Sequence, residues 1–246
     1  MKVNERGDKM CNQDERFAEI REQVWRENIR LQKAGLITLT WGNVSQIDRQ
    51  AGIVAIKPSG VAYETMQPKD IVIVDLDGQT VDGRYKPSSD LATHLEIYKA
   101  FPQVGGITHT HSRFATVFAQ AETAIPPLGT THADAFFGAV PCTRKLTAEE
   151  IETAYEKNTG RVICETFAET DPLDIPAVLV CSHGPFTFGK TAEKSVENAI
   201  VLEEVAMMAW HSLQLNPQMH FQAELLNKHY QRKHGKNAYY GQGVTK

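Results

Sequence analysis

Long apolar runs are missing from this sequence, and no stretch reaches the roughly 18 apolar residues that a membrane-spanning helix needs. The N-terminal segment, MKVNERGDKMCNQDER, is polar and charged and lacks the apolar stretch of a secretory signal, so we expect a cytoplasmic protein. A basic excess is missing too, because 26 Lys and Arg stand against 30 Asp and Glu. The resulting net charge of −4 gives no overall positive field that would attract nucleic acid.

Cysteine is scarce, and its spacing predicts neither a zinc ribbon nor a disulfide framework. No two of the four cysteines form a CxxC pair, and in the expected compartment all of them are predicted to be reduced: Cys11, Cys142, Cys164 and Cys181. The glycine fingerprints of dinucleotide and Walker-type nucleotide sites are also absent. The remaining composition, 41% hydrophobic and 23% charged, is that of a globular chain long enough to bury a large core.

No repeat, low-complexity tract or linker divides the chain, so we predict a single domain over residues 1–246, with a flexible segment at 1–13 and a C-terminal tail at 236–246. Apolar periodicity and capping residues predict helices over 14–34, from Ser88 or Ser89, from Ser112, from Thr147 to about Gly160, over 191–214 and over 218–234. Runs rich in β-branched residues predict strands at 38–40, 53–56, 71–74, 104–111, 177–181 and 186–188. Because the segment 38–82 is typical of antiparallel hairpins, we predict an α/β fold with three α/β/α layers and a mainly antiparallel central sheet.

Histidines at two strand ends are candidate metal ligands. His109 and His111 alternate along a predicted strand, so both point to one side, about 6–7 Å apart. His183 follows another buried strand, and Asp90 opens a helix and would add a carboxylate. Such a ligand set favours Zn²⁺ or a similar first-row ion over Mg²⁺ or Ca²⁺. Three further histidines are expected at the surface or the edge of the core: His94, His211 and His220.

Three loops of small residues could hold an anion: TrpGlyAsnValSer at 41–45, LysProSerGly at 57–60 and ProSerSerAsp at 87–90. Each offers backbone N–H groups and hydroxyls, and the last one also opens a helix, where negative charge is stabilised. Taken singly, each composition is more typical of an ordinary turn. Beside a candidate metal site, the three together indicate a small phosphorylated ligand.

The C-terminal segment 227–246 has five Lys or Arg and no Asp or Glu, and it carries the pair Tyr239 and Tyr240. A basic tail in an acidic chain is either solvated or docked on a neighbouring surface. A tyrosine in such a tail can act as an acid or base when a nearby cation lowers its pKa.

Taken in order, these motifs resemble the class II aldolase/epimerase family, over roughly residues 14–242. They are TrpGlyAsnValSer, LysProSerGly, SerSerAsp, HisThrHis, ThrThrHisAlaAspAlaPhePheGly, SerHisGlyProPhe and TyrTyrGlyGln. The match is closest to the sugar-phosphate 4-epimerases of the family. It implies a homotetramer with one Zn²⁺ per subunit, other divalent ions being possible.

The resemblance also implies a role for individual residues. The zinc ligands would be His109, His111 and His183, with Asp90 beside or on the metal. The substrate and its phosphate would be held by Gly42, Asn43, Ser59, Gly60, Ser88 and Ser89. Two acid/base residues are implied, and they are Asp134 and Tyr240, the second contributed by a neighbouring subunit on which the tail docks.

The activity that the resemblance implies is the interconversion of L-ribulose 5-phosphate and D-xylulose 5-phosphate in L-arabinose catabolism, by metal-dependent cleavage and re-formation of the C3–C4 bond. Alternatives are a related 4-epimerase acting on an L-xylulose-type substrate, an aldolase such as fuculose-phosphate aldolase, and a metal-binding protein without catalysis. Asp90 bears on the choice, because the aldolases carry the longer glutamate there, which reaches the substrate. A shorter Asp90 would stay near the metal and favour epimerisation.

Overall fold

A seven-stranded antiparallel sheet forms the centre of the protein, in a computed structural model that describes residues 17–236 and 238–239. Its strands are β1 (Asn43–Asp48), β2 (Ile53–Ile56), β3 (Val72–Asp75), β4 (Thr80–Asp82), β5 (Gly106–His109), β6 (Ala177–Val180) and β7 (Gly184–Gly189). Their order across the sheet is β4-β3-β2-β1-β5-β7-β6, and every neighbouring pair is antiparallel. The prediction of a mainly antiparallel sheet is confirmed. Residues 1–13, Asp14 and Tyr240 lie outside the described residues.

Helices cover both faces of the sheet. They are α1 (Ala18–Lys33), α2 (Leu91–Ala100), α3 (Arg113–Gln120), α4 (Thr130–Ala133), α5 (Ala148–Thr166), α6 (Ala192–Leu215) and α7 (Ala223–His234), and a 3₁₀ turn spans Pro68–Asp70. None of the helices in the described part of the chain is long and apolar enough to cross a membrane.

Strand side chains alternate between two hydrophobic cores. On one face, Val54 and Ile56 of β2 pack in a cluster that includes residues of α2 and α5. On the other face, Ile53 and Ala55 pack with Val24 of α1. The strands are therefore buried on both sides and consist of apolar runs, as expected for the middle layer of three.

The predicted strand at 38–40 is wrong. The chain turns there instead, with the Trp41 N–H donating to the Thr38 carbonyl, and both Leu39 (φ 54°) and Gly42 (φ 89°) adopt left-handed backbone conformations. A side chain at position 42 would also collide with β5, because its Cβ would lie 2.7 Å from the His109 carbonyl oxygen. β1 therefore starts only at Asn43, where the backbone becomes extended.

Other boundaries differ by a few residues. β5 stops at His109, so the predicted strand 104–111 is shorter and His111 lies beyond it. The residue that caps α2 is Asp90, neither of the two serines, and α7 begins at Ala223 where a helix from 218 was expected. The predicted start of α5 at Thr147 is confirmed, and Thr147 forms a capping box with Glu150: the Glu150 N–H donates to Thr147 Oγ1 at 3.2 Å and the Thr147 N–H to the Glu150 carboxylate at 2.7 Å.

Gly160 does not end a helix, contrary to the prediction, since α5 continues to Thr166. Its role is close packing against α2: a Cβ at this position would lie 2.7 Å from Glu96 Cβ and 2.9 Å from the Thr93 carbonyl oxygen. A glycine at a helix contact and a glycine at a helix end are indistinguishable in a single sequence.

We expect Gly160→Ala to destabilise the protein by about 1–3 kcal/mol, because the added methyl overpacks the contact between α5 and α2. Without this contact, the same change inside a helix would stabilise by about 0.5–1 kcal/mol. Urea unfolding measures the difference in the free energy of unfolding between the variant and the wild type. Gly129→Ala is the matched control, because no atom lies within 4 Å of a Cβ built there. A stabilised Gly160→Ala variant would contradict the packing argument.

Candidate metal centre

Three histidines meet at one end of the β5–β7 strand pair. His109 is the last residue of β5, His111 follows two residues later, and His183 lies in the turn between β6 and β7. One ring nitrogen of each lies within 4.8 Å of those of the other two. This is the arrangement that the HisThrHis and SerHisGly motifs predicted, and it fits one divalent ion.

The turn that carries His183 needs unusual backbone geometry. Ser182 has a left-handed conformation (φ 59°), and its N–H donates to the Ala119 carbonyl at 2.9 Å. Gly184 follows, where a Cβ would lie 2.8 Å from the Thr110 carbonyl oxygen. The missing side chain lets β7 start directly beside the chain that leaves β5, which brings His183 towards the other two histidines.

Hydrogen bonding sets the proton position on His109. Its Nδ1 lies 2.9 Å from the Pro185 carbonyl oxygen, which can only accept, so Nδ1 carries the hydrogen. The lone pair of His109 is therefore on Nε2, which lies 3.1 Å from His111 Nε2. A backbone carbonyl that fixes a ligand tautomer in this way is typical of metal-binding histidines.

Two of the three imidazoles, those of His111 and His183, are poised to stay neutral. Burial, together with the neighbouring imidazoles, lowers the pKa of His111 to about 4 and that of His183 to about 3, against the small opposing effect of Asp90. Since a metal ion competes with protons for the same nitrogens, neutral imidazoles at pH 7 are the form that binds. The donor set therefore fits a divalent ion such as Zn²⁺.

Asp90 lies beside this cluster and is held by Asn43. The Asn43 amide donates to Asp90 Oδ2 at 2.7 Å and to Ser88 Oγ at 3.1 Å. Burial alone would raise the pKa of Asp90, but the imidazoles of His109, His94 and His183 and the Asn43 hydrogen bond outweigh it and keep the pKa below its ordinary value. An ionised carboxylate therefore borders the metal centre.

A cavity of about 400 Å³ opens over the three histidines. It is lined by all of the residues to which the resemblance gave a part in substrate binding, namely Gly42, Asn43, Ser59, Gly60, Ser88 and Ser89, and by Asp90, His109, His111 and His183. Asn43 Oδ1 is buried and has no hydrogen-bond donor within the described residues, so it can accept a hydrogen bond from a ligand.

Residues 22–210 match the family model described as the class II aldolase and adducin N-terminal domain. The chain belongs to this family. Class II aldolases are in general metal-dependent enzymes of carbohydrate chemistry, and the three histidines give this class II aldolase domain a fitting metal site.

Solved structures share the class II aldolase fold. An L-fuculose 1-phosphate aldolase is 24% identical, with a TM-score of 0.71 over 87% of this chain and 95% of its own. A second L-fuculose 1-phosphate aldolase, from Glaciozyma antarctica PI12, is 18% identical, with a TM-score of 0.73 over 91% of this chain and 85% of its own. YgbL from Escherichia coli is 23% identical, with a TM-score of 0.69 over 86% of this chain and 97% of its own.

Lys57 shapes the loop that follows it in this class II aldolase domain. Its ammonium is almost completely buried and donates to the carbonyls of Pro58 at 3.2 Å and Val61 at 2.9 Å. Nζ also lies 4.7 Å from the centroid of the Tyr63 ring. Burial lowers the pKa of Lys57 to about 8. The two hydrogen bonds from Lys57 thus stabilise the turn of the LysProSerGly loop, and its ammonium places a cation at the cavity wall.

Other residues line the cavity although the sequence analysis gave them no individual role, among them Trp41, Tyr155 and Glu156. Trp41 lies within a motif, and its half-exposed ring is 5.9 Å from that of His111. Tyr155 comes from α5, far from every motif, and its hydroxyl is 3.4 Å from His183 Nδ1. In the sequence, a helical tyrosine of this kind is typical of packing.

Asp134 is not among the residues that line the cavity. Its carboxylate lies 3.0 Å from His229 Nδ1, 2.8 Å from an Arg232 guanidinium nitrogen and 3.3 Å from Lys233 Nζ, which ties α4 to α7. Burial would raise the pKa of Asp134, but hydrogen bonds from Arg232 and His229 and the charge of Lys233 bring it below its ordinary value. The Tyr239 N–H donates to the Arg232 carbonyl at 3.0 Å, so the chain stays near this cluster one residue before Tyr240.

We expect the purified protein to bind one divalent ion per chain and His183→Asn to bind none, because two imidazoles without the third hold Zn²⁺ too weakly. Metal analysis after dialysis measures the stoichiometry, and circular dichroism checks the fold. His220→Asn is the matched control, because His220 is exposed and lies outside the cluster. Full metal content in His183→Asn would remove His183 from the centre.

Proposed function

We propose that this chain is a metal-dependent sugar-phosphate epimerase that interconverts L-ribulose 5-phosphate and D-xylulose 5-phosphate, as in L-arabinose catabolism. The observation that carries the proposal is one cavity in which three convergent imidazoles face two serine-containing loops. A phosphorylated sugar needs both parts: a cation centre for its carbonyl and hydroxyl oxygens, and N–H and O–H donors for its phosphate.

The phosphate would bind between the loops 57–60 and 87–90. Two backbone hydrogen bonds hold the loops side by side, from the Ser59 N–H to the Lys86 carbonyl at 3.0 Å and from the Ser88 N–H to the Lys57 carbonyl at 2.9 Å. Ser59 and Ser88 therefore line the same cavity, next to the first turn of α2. Hydroxyls beside a helix N-terminus favour a dianionic group.

The sugar oxygens would face His109, His111 and His183. A divalent ion held by these residues would supply Lewis-acid stabilisation of the negative charge that develops on the sugar oxygens. Asn43 Oδ1, which has no hydrogen-bond partner within the described residues, would accept a hydrogen bond from a sugar hydroxyl. Its amide nitrogen keeps the Asp90 carboxylate at the cavity wall.

Proton transfer would involve Asp134 and Tyr240. Epimerisation at C4 requires one group to take the C4 hydroxyl proton before the C3–C4 bond breaks and another to return it after the bond re-forms with inverted C4. Because Asp134 lies outside its own cavity and beside the segment that leads to Tyr240, we propose that both groups serve the cavity of a neighbouring subunit in a homotetramer.

Aldol cleavage is the second candidate, and the fuculose-phosphate aldolases among the structurally similar proteins favour it. An aldolase must protonate C3 after cleavage so that the products leave. Asp90 is one methylene shorter than glutamate, and its hydrogen bond with Asn43 keeps it at the wall of the cavity. The geometry of this carboxylate therefore supports the epimerase.

The test is an assay of the metal-loaded protein with L-ribulose 5-phosphate, in which D-xylulose 5-phosphate and the pair dihydroxyacetone and glycolaldehyde phosphate are measured together. We expect the epimer as the main product and the cleavage pair at a few per cent of it or less. Cleavage as the main reaction would establish the aldolase. If neither product forms while metal content is full, the proposed substrate is wrong.

Complementation tests the shared site. We expect His183→Asn and a chain truncated after residue 235 to be inactive alone, because one lacks the metal centre and the other lacks Tyr240. Mixed and reassembled subunits should recover activity at about a quarter of the sites, those with an intact cavity beside an intact tail. A mixture of the truncated chain with Asp134→Asn should stay inactive, because no chain then supplies both groups. Recovery in this second mixture would show that Asp134 and Tyr240 come from different chains.

A further inference from the structure

We propose that Tyr155 is a positioning residue of the metal centre: its hydroxyl oxygen accepts the Nδ1 hydrogen of His183 and leaves Nε2 of His183 free for the ion. The inference rests on the metal site of the proposed function and adds a residue to it. Tyr155 Oη lies 3.4 Å from His183 Nδ1, and the two rings are tilted by 30° with centroids 6.2 Å apart. A neutral imidazole with a hydrogen on Nδ1 has its lone pair on Nε2.

His109, in the same site, has the arrangement that we propose for His183. Its Nδ1 hydrogen goes to the Pro185 carbonyl, and its Nε2 faces the cluster. Within the described residues no carbonyl accepts a hydrogen bond from His183 Nδ1, and the group that faces Nδ1 is the Tyr155 hydroxyl. A partner that orients a ligand histidine raises metal affinity by fixing both the tautomer and the ring plane.

A break in α5 places Tyr155 at the cavity. Ala154 leaves the helical conformation (φ −157°, ψ 65°), so the helix changes direction immediately before Tyr155. Across the break, the Asn158 side-chain amide donates to the Glu150 carbonyl at 2.8 Å. The same amide lies 3.5 Å from Thr153 Oγ1. Asn158 is buried, and its side chain spans the break. We therefore attribute the kink to the hydrogen bonds of this side chain.

Contacts after the break fix the backbone of Tyr155 relative to the metal centre. Thr93 Oγ1 of α2 donates to the Glu156 carbonyl at 2.6 Å, and Thr159 Oγ1 donates to the Tyr155 carbonyl at 2.8 Å. Asp90, the N-cap of α2, borders the three histidines. The helix that carries Tyr155 is therefore attached to the helix that carries Asp90, and the phenol is 38% exposed at the cavity.

The decisive variant is Tyr155→Phe, which keeps the ring and removes only the hydroxyl. We expect Co²⁺ to bind about 10–100-fold more weakly, with a changed visible d–d spectrum of the bound ion. Tyr85→Phe is the matched control, because Tyr85 is 37% exposed and does not line the cavity. Equal affinity and an unchanged spectrum in Tyr155→Phe would overturn the proposal.

Asn158→Ala tests whether the kink acts through Tyr155. Asn158 does not line the cavity, so it can weaken Co²⁺ binding only by moving the helix. We expect the double variant Asn158→Ala with Tyr155→Phe to have the same Co²⁺ affinity as the single variant that binds Co²⁺ more weakly. The reason is that each change removes the same interaction, the one between Tyr155 and His183. Fully additive losses would contradict the placement of Tyr155 by the kink.

A metal-free measurement separates this inference from the proposed function. Imidazole ¹⁵N–¹H spectra of the apoprotein report the tautomer of His183, and we expect hydrogen on Nδ1 in the wild type and a shift towards the other tautomer in Tyr155→Phe. If the wild type binds no divalent ion but the tautomer shifts, the metal site fails and the hydrogen bond stands. An unchanged tautomer in Tyr155→Phe overturns the inference whatever the metal affinity.

Discussion

The antiparallel register between β5 and β7 is the constraint on which the candidate site depends. It sets His109 opposite Phe186, and the two rings stack with centroids 4.2 Å apart. The same pairing brings the end of β5, with His111 just beyond it, next to the turn that carries His183. Since a slip of one residue would turn every side chain of a strand to the other face, this register decides whether three distant histidines meet.

The site concentrates polar groups where the rest of the sheet is apolar. His94 was expected at the surface or the edge of the core and is instead completely buried, with Nδ1 2.7 Å from Ser45 Oγ, which is also 2.8 Å from the Tyr98 hydroxyl. Burial lowers the pKa of His94 to about 3, against the effect of Asp90. His94 Nε2 and Asn43 Oδ1 have no partner within the described residues. Unsatisfied buried groups reduce stability, and Asn43 lines the cavity, where a site that binds ligands needs a free acceptor.

The placement of residues that lie in local motifs was predictable from the sequence. The three histidines and the three small-residue loops each sit where a strand or helix begins or ends, and the cavity brings them together as expected. Tyr155 and Gly160 were not, because their roles depend on tertiary contacts: one reaches the site through a kink whose cause is Asn158, and the other permits contact between two helices. The turn at 38–42 was missed because left-handed Leu39 violates the preference of its residue type, and only the approach of Gly42 to β5 explains the geometry.

The separation of Asp134 from the cavity has a consequence for the reaction geometry in the proposed tetramer. Arg232 and His229 join Asp134 to α7, and the Tyr239 N–H donates to the Arg232 carbonyl, so Asp134, α7 and Tyr239 belong to one unit of the chain. The three histidines belong to another, held by β5 and β7. Within either unit the distances are fixed by hydrogen bonds; between the units they would be fixed by how neighbouring subunits pack. If the proposed tetramer forms, the reaction geometry is therefore a property of the interface, and changes far from the cavity that alter subunit packing would reduce turnover while leaving metal binding intact.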